Sequence, residues 1–369
     1  MQKFLGLFLF IFSFNWALAQ ITLKVKDLTH CNKKIYLAGN VNGWDPKNDS
    51  YSLFSVNGYR YINLTPEGIL EFKFTQGSWS SAEGDSIGKQ ISNRKIENYS
   101  SNDTIELTIN GWEFNKPKTS TKSENVISEN YFLTDSSFSF HPEIWVYLPK
   151  SYQKSKITYP PINGNIKYIM DGQNLFDDAL AYSGEWGIDE LLDSSNLEVI
   201  VVAIANGGAN RMLEYSPWKN EKYDSGKGIE YADFLVKNVM PFFENKYRIS
   251  KSRDSTFIGG SSLGALICHY AFIKYNSGFG GIINFSPAFW FNPEIFHFSE
   301  NQDLLKNSKF YFASGEQESD LILNAQEEMV NLLKNKPEAK LNAEIRLGEK
   351  HNEQFWHKEF LKALMWILK

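Results

Sequence analysis

Ser255-Thr-Phe-Ile-Gly-Gly-Ser-Ser-Leu-Gly-Ala-Leu-Ile-Cys-His-Tyr-Ala271 is the stretch on which the reading of this chain turns. Its β-branched, apolar start predicts a strand, and the run from Leu263 onward predicts a helix. Between them stands a G-x-S-x-G spacing, with Gly260, Ser262 and Gly264 at its three fixed positions. A serine between a strand and a helix in this way sits on a sharp turn with strained backbone. Side chains at the two glycine positions would crowd that turn. The turn lifts the Ser262 hydroxyl over the sheet edge. The new helix then offers the Leu263 backbone N–H, which has no partner inside the helix, to negative charge developing on an oxygen. The glycine spacing selects Ser262 over its neighbour Ser261 as the nucleophile.

Outward from this turn the chain alternates strand-like and helix-like runs. Ile144 to Leu148, Ile166 to Met170, Val199 to Ile204, Thr256 to Ile258, Gly281 to Phe285, Phe310 to Ala313 and Ala343 to Leu347 predict strands. Helical stretches are expected at Gly187 to Asp193, Ile229 to Asn245, Leu263 to Lys274, Asn324 to Asn335 and Glu353 to Leu368. This rhythm predicts an α/β domain over 131–369, a mostly parallel sheet with helices on both faces. Residues 20–114 read differently. Short alternating runs such as Ile21 to Val25, Tyr59 to Leu64 and Leu70 to Phe74 are divided by Gly, Asn, Asp and Pro, which predicts a small all-β, immunoglobulin-like sandwich. Residues 115–130, beginning with the polar run Asn115 to Asn125, are expected to be a linker.

The 369 residues, 42% hydrophobic and 15% aromatic, suffice for two packed cores. A net charge of -5 with no block of like charge gives no reason to expect nucleic acid or an anionic membrane surface. At the N-terminus, Lys3, the apolar run Phe4 to Trp16 and Ala17-Leu-Ala19 before Gln20 read as a cleaved signal peptide over 1–19. The mature chain is then expected in a periplasm or outside the cell, without stable membrane insertion. Cys31 and Cys268, the two cysteines, fall in different domains, and a disulfide between them is not expected.

A serine hydroxyl needs a base to take its proton. In an α/β-hydrolase the triad runs in the chain order serine, acid, histidine. Of the six histidines, His30 and His141 precede the sheet. His269 lies about two turns along the helix after Ser262, His297 stands in an aromatic insertion, and His357 lies inside the last helix. His351, in the loop after the last strand, fits the base. The acid is expected after the strand Phe310 to Ala313, where Ser314-Gly-Glu-Gln-Glu-Ser-Asp320 holds Glu316, Glu318 and Asp320. Glu318 is favoured. Asp320 and Glu316 stay open, and Asp320 also suits a helix N-cap. Met170-Asp-Gly-Gln-Asn-Leu-Phe176 is the candidate for the second oxyanion donor, with Gly172 permitting the turn and Gln173 giving the N–H. No metal or cofactor is required by this chemistry.

Val146 to Tyr152, Met170 to Phe176, Ala205 to Pro217, Gly260 to Gly264 and Gly348-Glu-Lys-His-Asn352 together resemble the esterase family of α/β-hydrolases that includes enterochelin esterases, S-formylglutathione hydrolases and feruloyl esterases. The resemblance implies a serine esterase, with Asp171, Gly172, Arg211 and Glu214 near the substrate and Trp186 and Trp218 as lining or core residues. Arg211 and Glu214 either bind polar groups of the substrate or pair to hold their loop. Feruloyl-esterase-like members often carry Asp where Glu318 stands. In the N-terminal module, Gly39 to Pro46 and Phe72 to Trp79 resemble starch- and glycogen-binding modules, which places sugar-stacking residues at Trp44 and Trp79. The expected substrate is therefore an acyl ester, acetyl or feruloyl, on a carbohydrate. The alternatives are a catecholate siderophore ester and, outside enzymology, a carbohydrate-binding protein with an inactive hydrolase domain.

Overall fold

The computed structural model describes residues 20–86, 88–113, 119–129, 142–154, 165–181, 184–195, 197–223 and 225–369. The expected signal peptide at 1–19 and His141 lie outside the described residues. The chain divides into two compact units, Met1–Lys116 and Pro117–Lys369.

Among the described residues the larger unit is built on eight strands: β1 (Val126–Glu129), β2 (Ile144–Tyr147), β3 (Asn165–Met170), β4 (Val199–Ile204), β5 (Thr256–Ser261), β6 (Gly281–Phe285), β7 (Ser308–Gly315) and β8 (Ala339–Arg346). Their order in the sheet is β1-β2-β4-β3-β5-β6-β7-β8. β2 runs antiparallel to both β1 and β4, and from β4 to β8 every pairing is parallel. A parallel sheet needs cover on both faces, so its central strands are apolar without interruption. β4, Val-Ile-Val-Val-Ala-Ile, is buried at all six positions. Successive side chains point to opposite faces, and its residues divide accordingly. Ile200, Val202 and Ile204 join one core with the helix Leu263–Lys274, while Val199, Val201 and Ala203 join the other with the helices Ile188–Ser194 and Glu353–Ile367.

Two elements differ from the sequence expectation. Val126–Glu129, expected as linker, pairs antiparallel with β2 as the edge strand of the sheet. Ile127 and Ser128 in it are exposed, so its outer side shows little of the apolar pattern that reveals a buried strand. The aromatic insertion around His297 is a helix, Glu294–Asn301, that buries Ile295 and Ser299.

The smaller unit is β-rich. One sheet runs Phe54–Val56, Tyr59–Leu64, Ile21–Asp27, Thr104–Ile109, and a second runs Tyr36–Gly39, Leu70–Thr75, Arg94–Ile96. Ile21, Leu23, Val25, Ile62 and Leu64 from the first share a core with Leu37, Leu70, Phe72 and Phe74 from the second. Trp44 and Trp79 lie side by side and half-exposed, ring centroids 6.1 Å apart and inclined by 32°.

Candidate active site

β5 ends at Ser261, and the next residue takes a backbone that side chains rarely adopt. Ser262 has φ 55° and ψ -123°, and the helix Leu263–Lys274 begins immediately after it. Both flanking glycines are required by contact. A Cβ at Gly260 would lie 2.7 Å from the Gly264 carbonyl carbon, and one at Gly264 would lie 2.9 Å from Asp171 Oδ2. The turn is pinned to the neighbouring strand end: Ser262 N–H donates to Phe285 O at 2.9 Å, and Ala288 N–H donates to Ser262 O at 3.1 Å. Leu263 opens the helix, so its N–H has no acceptor within it.

Two strands further along the sheet, β7 leads into a tight turn in which Glu318 N–H donates to Gly315 O at 3.1 Å. Glu318 Oε1 accepts from Gly315 N–H at 2.8 Å and from the Ser286 hydroxyl at 2.6 Å. Its other oxygen, Oε2, stands 3.1 Å from His351 Nδ1. The carboxylate is fully buried, whereas the His351 side chain is 34% exposed. The imidazole thus has its Nδ1 edge on the acid and packs edge-on against the Trp356 ring, centroids 5.2 Å apart.

The other two carboxylates of this loop are engaged elsewhere. Glu316 Oε2 accepts from Gly348 N–H at 3.0 Å, tying the acid loop to the loop that carries His351. Asp320 is the first residue of the helix Asp320–Lys334, where a negative charge meets the positive end of the helix dipole; the residue before it, Ser319, holds the N-cap position.

The segment after β3 forms a single turn of 3-10 helix, Gly172–Asn174. Gly172 lies on the β4 backbone so closely that a Cβ would come within 2.5 Å of Ala203 C and Ile204 N. Gln173 follows, half-buried, and its side-chain carbonyl accepts from Asn206 N–H at 3.3 Å.

Asp171, Arg211 and Glu214 are arranged differently from the expected Arg211–Glu214 pair. Arg211 donates from Nε and Nη2 to the two oxygens of Asp171, at 2.7 Å each, and Asn206 Nδ2 adds a third bond at 2.7 Å. Asp171, only 4% exposed, is spent on this bidentate clamp, which fixes the turn beside Ser262. Glu214 is buried and accepts from Gly207 N–H at 2.8 Å, and burial pushes its carboxyl up to about 7. Local spacing predicts an i,i+3 pairing, and a partner forty residues away in the chain outcompetes it. Trp186 is a core residue and does not line a substrate pocket: it is 1% exposed and packs against Phe285, Trp356 and Phe360. Trp218 packs against Tyr270 and Phe298.

His357 and His269 serve structure. His357 Nδ1 meets the Trp186 carbonyl at 2.5 Å. His269 is fully buried among Phe289, Phe310 and Phe312, with Nε2 3.2 Å from Ser299 Oγ. Burial pulls its imidazole down to about 3 from an ordinary 6.5. The unfolded chain therefore binds a proton that the folded chain refuses. Stability contributed by this neutral ring is present above pH 6.5 and is lost as pH falls toward 3, at up to about 1.4 kcal/mol per pH unit. Urea midpoints measured across that window are expected to fall with pH, and to fall less steeply in His269→Phe. Among the described residues no group of three or more His, Cys, Asp or Glu side chains is placed to hold a metal ion.

The strand–serine–helix turn on a mostly parallel sheet, with a histidine and a carboxylate at the same sheet edge, defines an α/β-hydrolase. Within that class the chain belongs to the family described as "Putative esterase", whose model matches residues 137–367. It is a carboxylic ester hydrolase. It is 26% identical over 244 residues, 60% of this chain and 90% of the relative, to the uncharacterized protein YbbA of Bacillus subtilis (strain 168). Over 94 residues it is 30% identical to an α-amylase of Niallia circulans, a match spanning 25% of this chain and 7% of that enzyme. The fold is similar to the enterobactin esterase FES of Shigella flexneri, with a TM-score of 0.54 at 12% identity, covering 94% of this chain and 92% of that one.

Ser286, Trp356 and Asn206 carry contacts at this site that the sequence reading did not single out. The one local signal was a serine directly after a predicted strand, before Pro287.

Proposed function

We propose that the chain is an exported serine esterase whose triad is Ser262, His351 and Glu318, acting on acyl groups carried by carbohydrate. The observation that carries the triad is the 3.1 Å contact between His351 Nδ1 and a buried Glu318, at the sheet edge where Ser262 holds a strained φ of 55°. With Nδ1–H directed to the carboxylate, Nε2 keeps its lone pair and takes the Ser262 proton as the hydroxyl attacks the ester carbonyl. Glu318 stabilises the imidazolium that forms. The N–H groups of Leu263 and Gln173 hold the oxyanion. The imidazolium returns its proton to the leaving alcohol, and water then releases the acyl group by the same steps.

Three features support a carbohydrate-borne ester and export. Trp44 and Trp79 form a paired aromatic face of the kind that suits a pyranose ring. The local likeness to an α-amylase points to the same chemistry. The apolar run Phe4 to Trp16, followed by Ala17-Leu-Ala19, suits a cleaved leader, and mass spectrometry of secreted protein is expected to give Gln20 as the first residue. Among the described residues no helix is long and apolar enough to cross a membrane.

A siderophore ester is the second reading, favoured by the fold likeness to the enterobactin esterase over nearly the whole chain. The test is release of product from acetylated xylan, feruloylated arabinoxylan and enterobactin by one preparation of the mature chain. Acyl release from a glycan alone supports the first reading. Cleavage of enterobactin alone replaces it with the second. Trp44→Ala and Trp79→Ala are each expected to weaken retention on insoluble glucan or xylan at least tenfold while p-nitrophenyl acetate hydrolysis is unchanged. Unchanged retention would remove the glycan role of this face.

A further inference from the structure

We infer that Ser286 and Trp356 are positioning residues of the esterase site, a hydrogen-bonded chain that holds Glu318 with one oxygen turned to His351. The inference rests on the triad reading above. Glutamate has an extra rotatable bond compared with aspartate, so its carboxylate needs more anchoring to present one oxygen to a histidine. That anchoring is present. The oxygen facing away from His351, Oε1, accepts both the Ser286 hydroxyl at 2.6 Å and the Gly315 N–H at 2.8 Å. The first distance is short, as expected for a hydroxyl donating to an ionised carboxylate.

The direction of the Ser286 hydroxyl is set from behind. Trp356 Nε1 lies 2.9 Å from Ser286 Oγ. An indole nitrogen only donates, so Ser286 Oγ accepts there and its own hydrogen is free to go to Glu318. The result is a one-way chain from Trp356 through Ser286 and Glu318 to His351, all of it at buried or nearly buried side chains except the imidazole itself. Such chains polarise their members in series. Trp356 closes the arrangement, since its ring also packs edge-on against His351.

Ser286 also sets the spacing between nucleophile and acid. It follows β6, the strand between the elbow strand and the acid strand, and takes φ 46°, a strained backbone for a residue with a side chain. On one side of this short segment, Phe285 O accepts from Ser262 N–H and Ala288 N–H donates to Ser262 O. On the other, Ser286 N–H donates to Ala313 O on β7 at 2.8 Å. A four-residue splint, Phe285 to Ala288, therefore ties the nucleophile's backbone to the acid's strand, and its one hydroxyl grips the acid. The strain at Ser286 is retained where it fixes this geometry.

The test is steady-state hydrolysis of p-nitrophenyl acetate by the mature chain and by Ser286→Ala, Trp356→Phe, Glu318→Ala, the pairwise combinations of these three, and Ser262→Ala. Ser286→Ala is expected to lower kcat about 10- to 100-fold with KM within about threefold, as for other groups that orient a catalytic side chain. Trp356→Phe keeps an aromatic ring at this position but removes the N–H together with the rest of the pyrrole ring, so it is expected to lower kcat several-fold without shifting KM. Because both act through Glu318, neither change is expected to lower kcat further by more than about twofold once Glu318 is alanine, and Trp356→Phe is expected to add nothing to Ser286→Ala. Loss of the same factor in the Glu318→Ala background, or kcat within twofold of the parent in both single variants, overturns the inference. If Ser286→Ala does not fold, Trp356→Phe alone and with Glu318→Ala decides between the same outcomes. Full activity in Ser262→Ala is a separate result and removes the triad reading itself.

Discussion

Replacing Ser262 with alanine is expected to lower kcat on p-nitrophenyl acetate by a factor of about 10³ or more while leaving the fold intact. The size follows from what remains. On the proposed mechanism no acyl-enzyme forms without the hydroxyl, and the Leu263 and Gln173 N–H groups and His351 are left to assist a water that nothing positions. Alanine also fits the turn as badly as serine does at φ 55°, so the folded state gains and loses little, and the melting temperature is expected within a few degrees of the parent. His351→Ala is expected to show a loss of similar order, because the proposed triad acts as a unit. Combining the two changes is expected to cost little beyond either alone. A Ser262→Ala protein with kcat within tenfold of the parent would show that another group is the nucleophile.

Replacing Asp171 with alanine is the change expected to cost the most stability, about 2–4 kcal/mol. Asp171 accepts three charge-assisted or polar bonds from Arg211 and Asn206, each at 2.7 Å. Its side chain is 5% exposed and that of Arg211 is 28% exposed. Removing the carboxylate leaves the guanidinium partly buried without its partner. The residual access of Arg211 to water keeps the cost below that of a fully buried pair. The effect reaches the chemistry as well. Asp171 Oδ2 lies against Gly264 in the first turn of the elbow helix, and Asp171 itself, at φ 58°, begins the turn that presents Gln173. Urea unfolding of Asp171→Ala and Asp171→Asn measures the cost, with Asn expected to fall between Ala and the parent. A loss below about 1 kcal/mol in the alanine variant would mean that the clamp is unimportant to stability.

How far the sequence reached depended on how local each feature is. Ser262 was legible because the elbow is written in five consecutive residues, with Gly260 demanded by the backbone of that same turn and Gly264 by the close approach of Asp171. The α/β rhythm was legible for the same reason: a parallel strand such as β4 must be apolar throughout, and the helices between strands carry their own period. His351 followed from chain order and its place after the last strand. Glu318 could be favoured but not separated from Glu316 and Asp320, because three carboxylates in one loop look alike until the loop is folded. Packing separates them. Glu316 turns to Gly348, Asp320 starts a helix, and Glu318 alone is brought to Ser286 and His351.

The misreadings share one cause. Arg211 and Glu214 are neighbours on a helix turn, yet Arg211 bonds to Asp171 from another strand's loop. Trp186, open in the sequence between pocket lining and core, fills the core between Phe285 and Trp356. The edge strand Val126–Glu129 is short and half exposed, and only its pairing with Ile144–Tyr147 makes it a strand. By itself the sequence determined the strand–Ser262–helix turn and the class of the larger unit, because these rest on spacing and periodicity over a few neighbouring residues, and the resemblance of five motifs in order along the chain pointed to its family. The tertiary structure decided which carboxylate meets His351, which partner Arg211 takes and how Ser286 and Trp356 reach the acid, because each of those contacts joins residues far apart in the chain, and their energies depend on burial that no local pattern records.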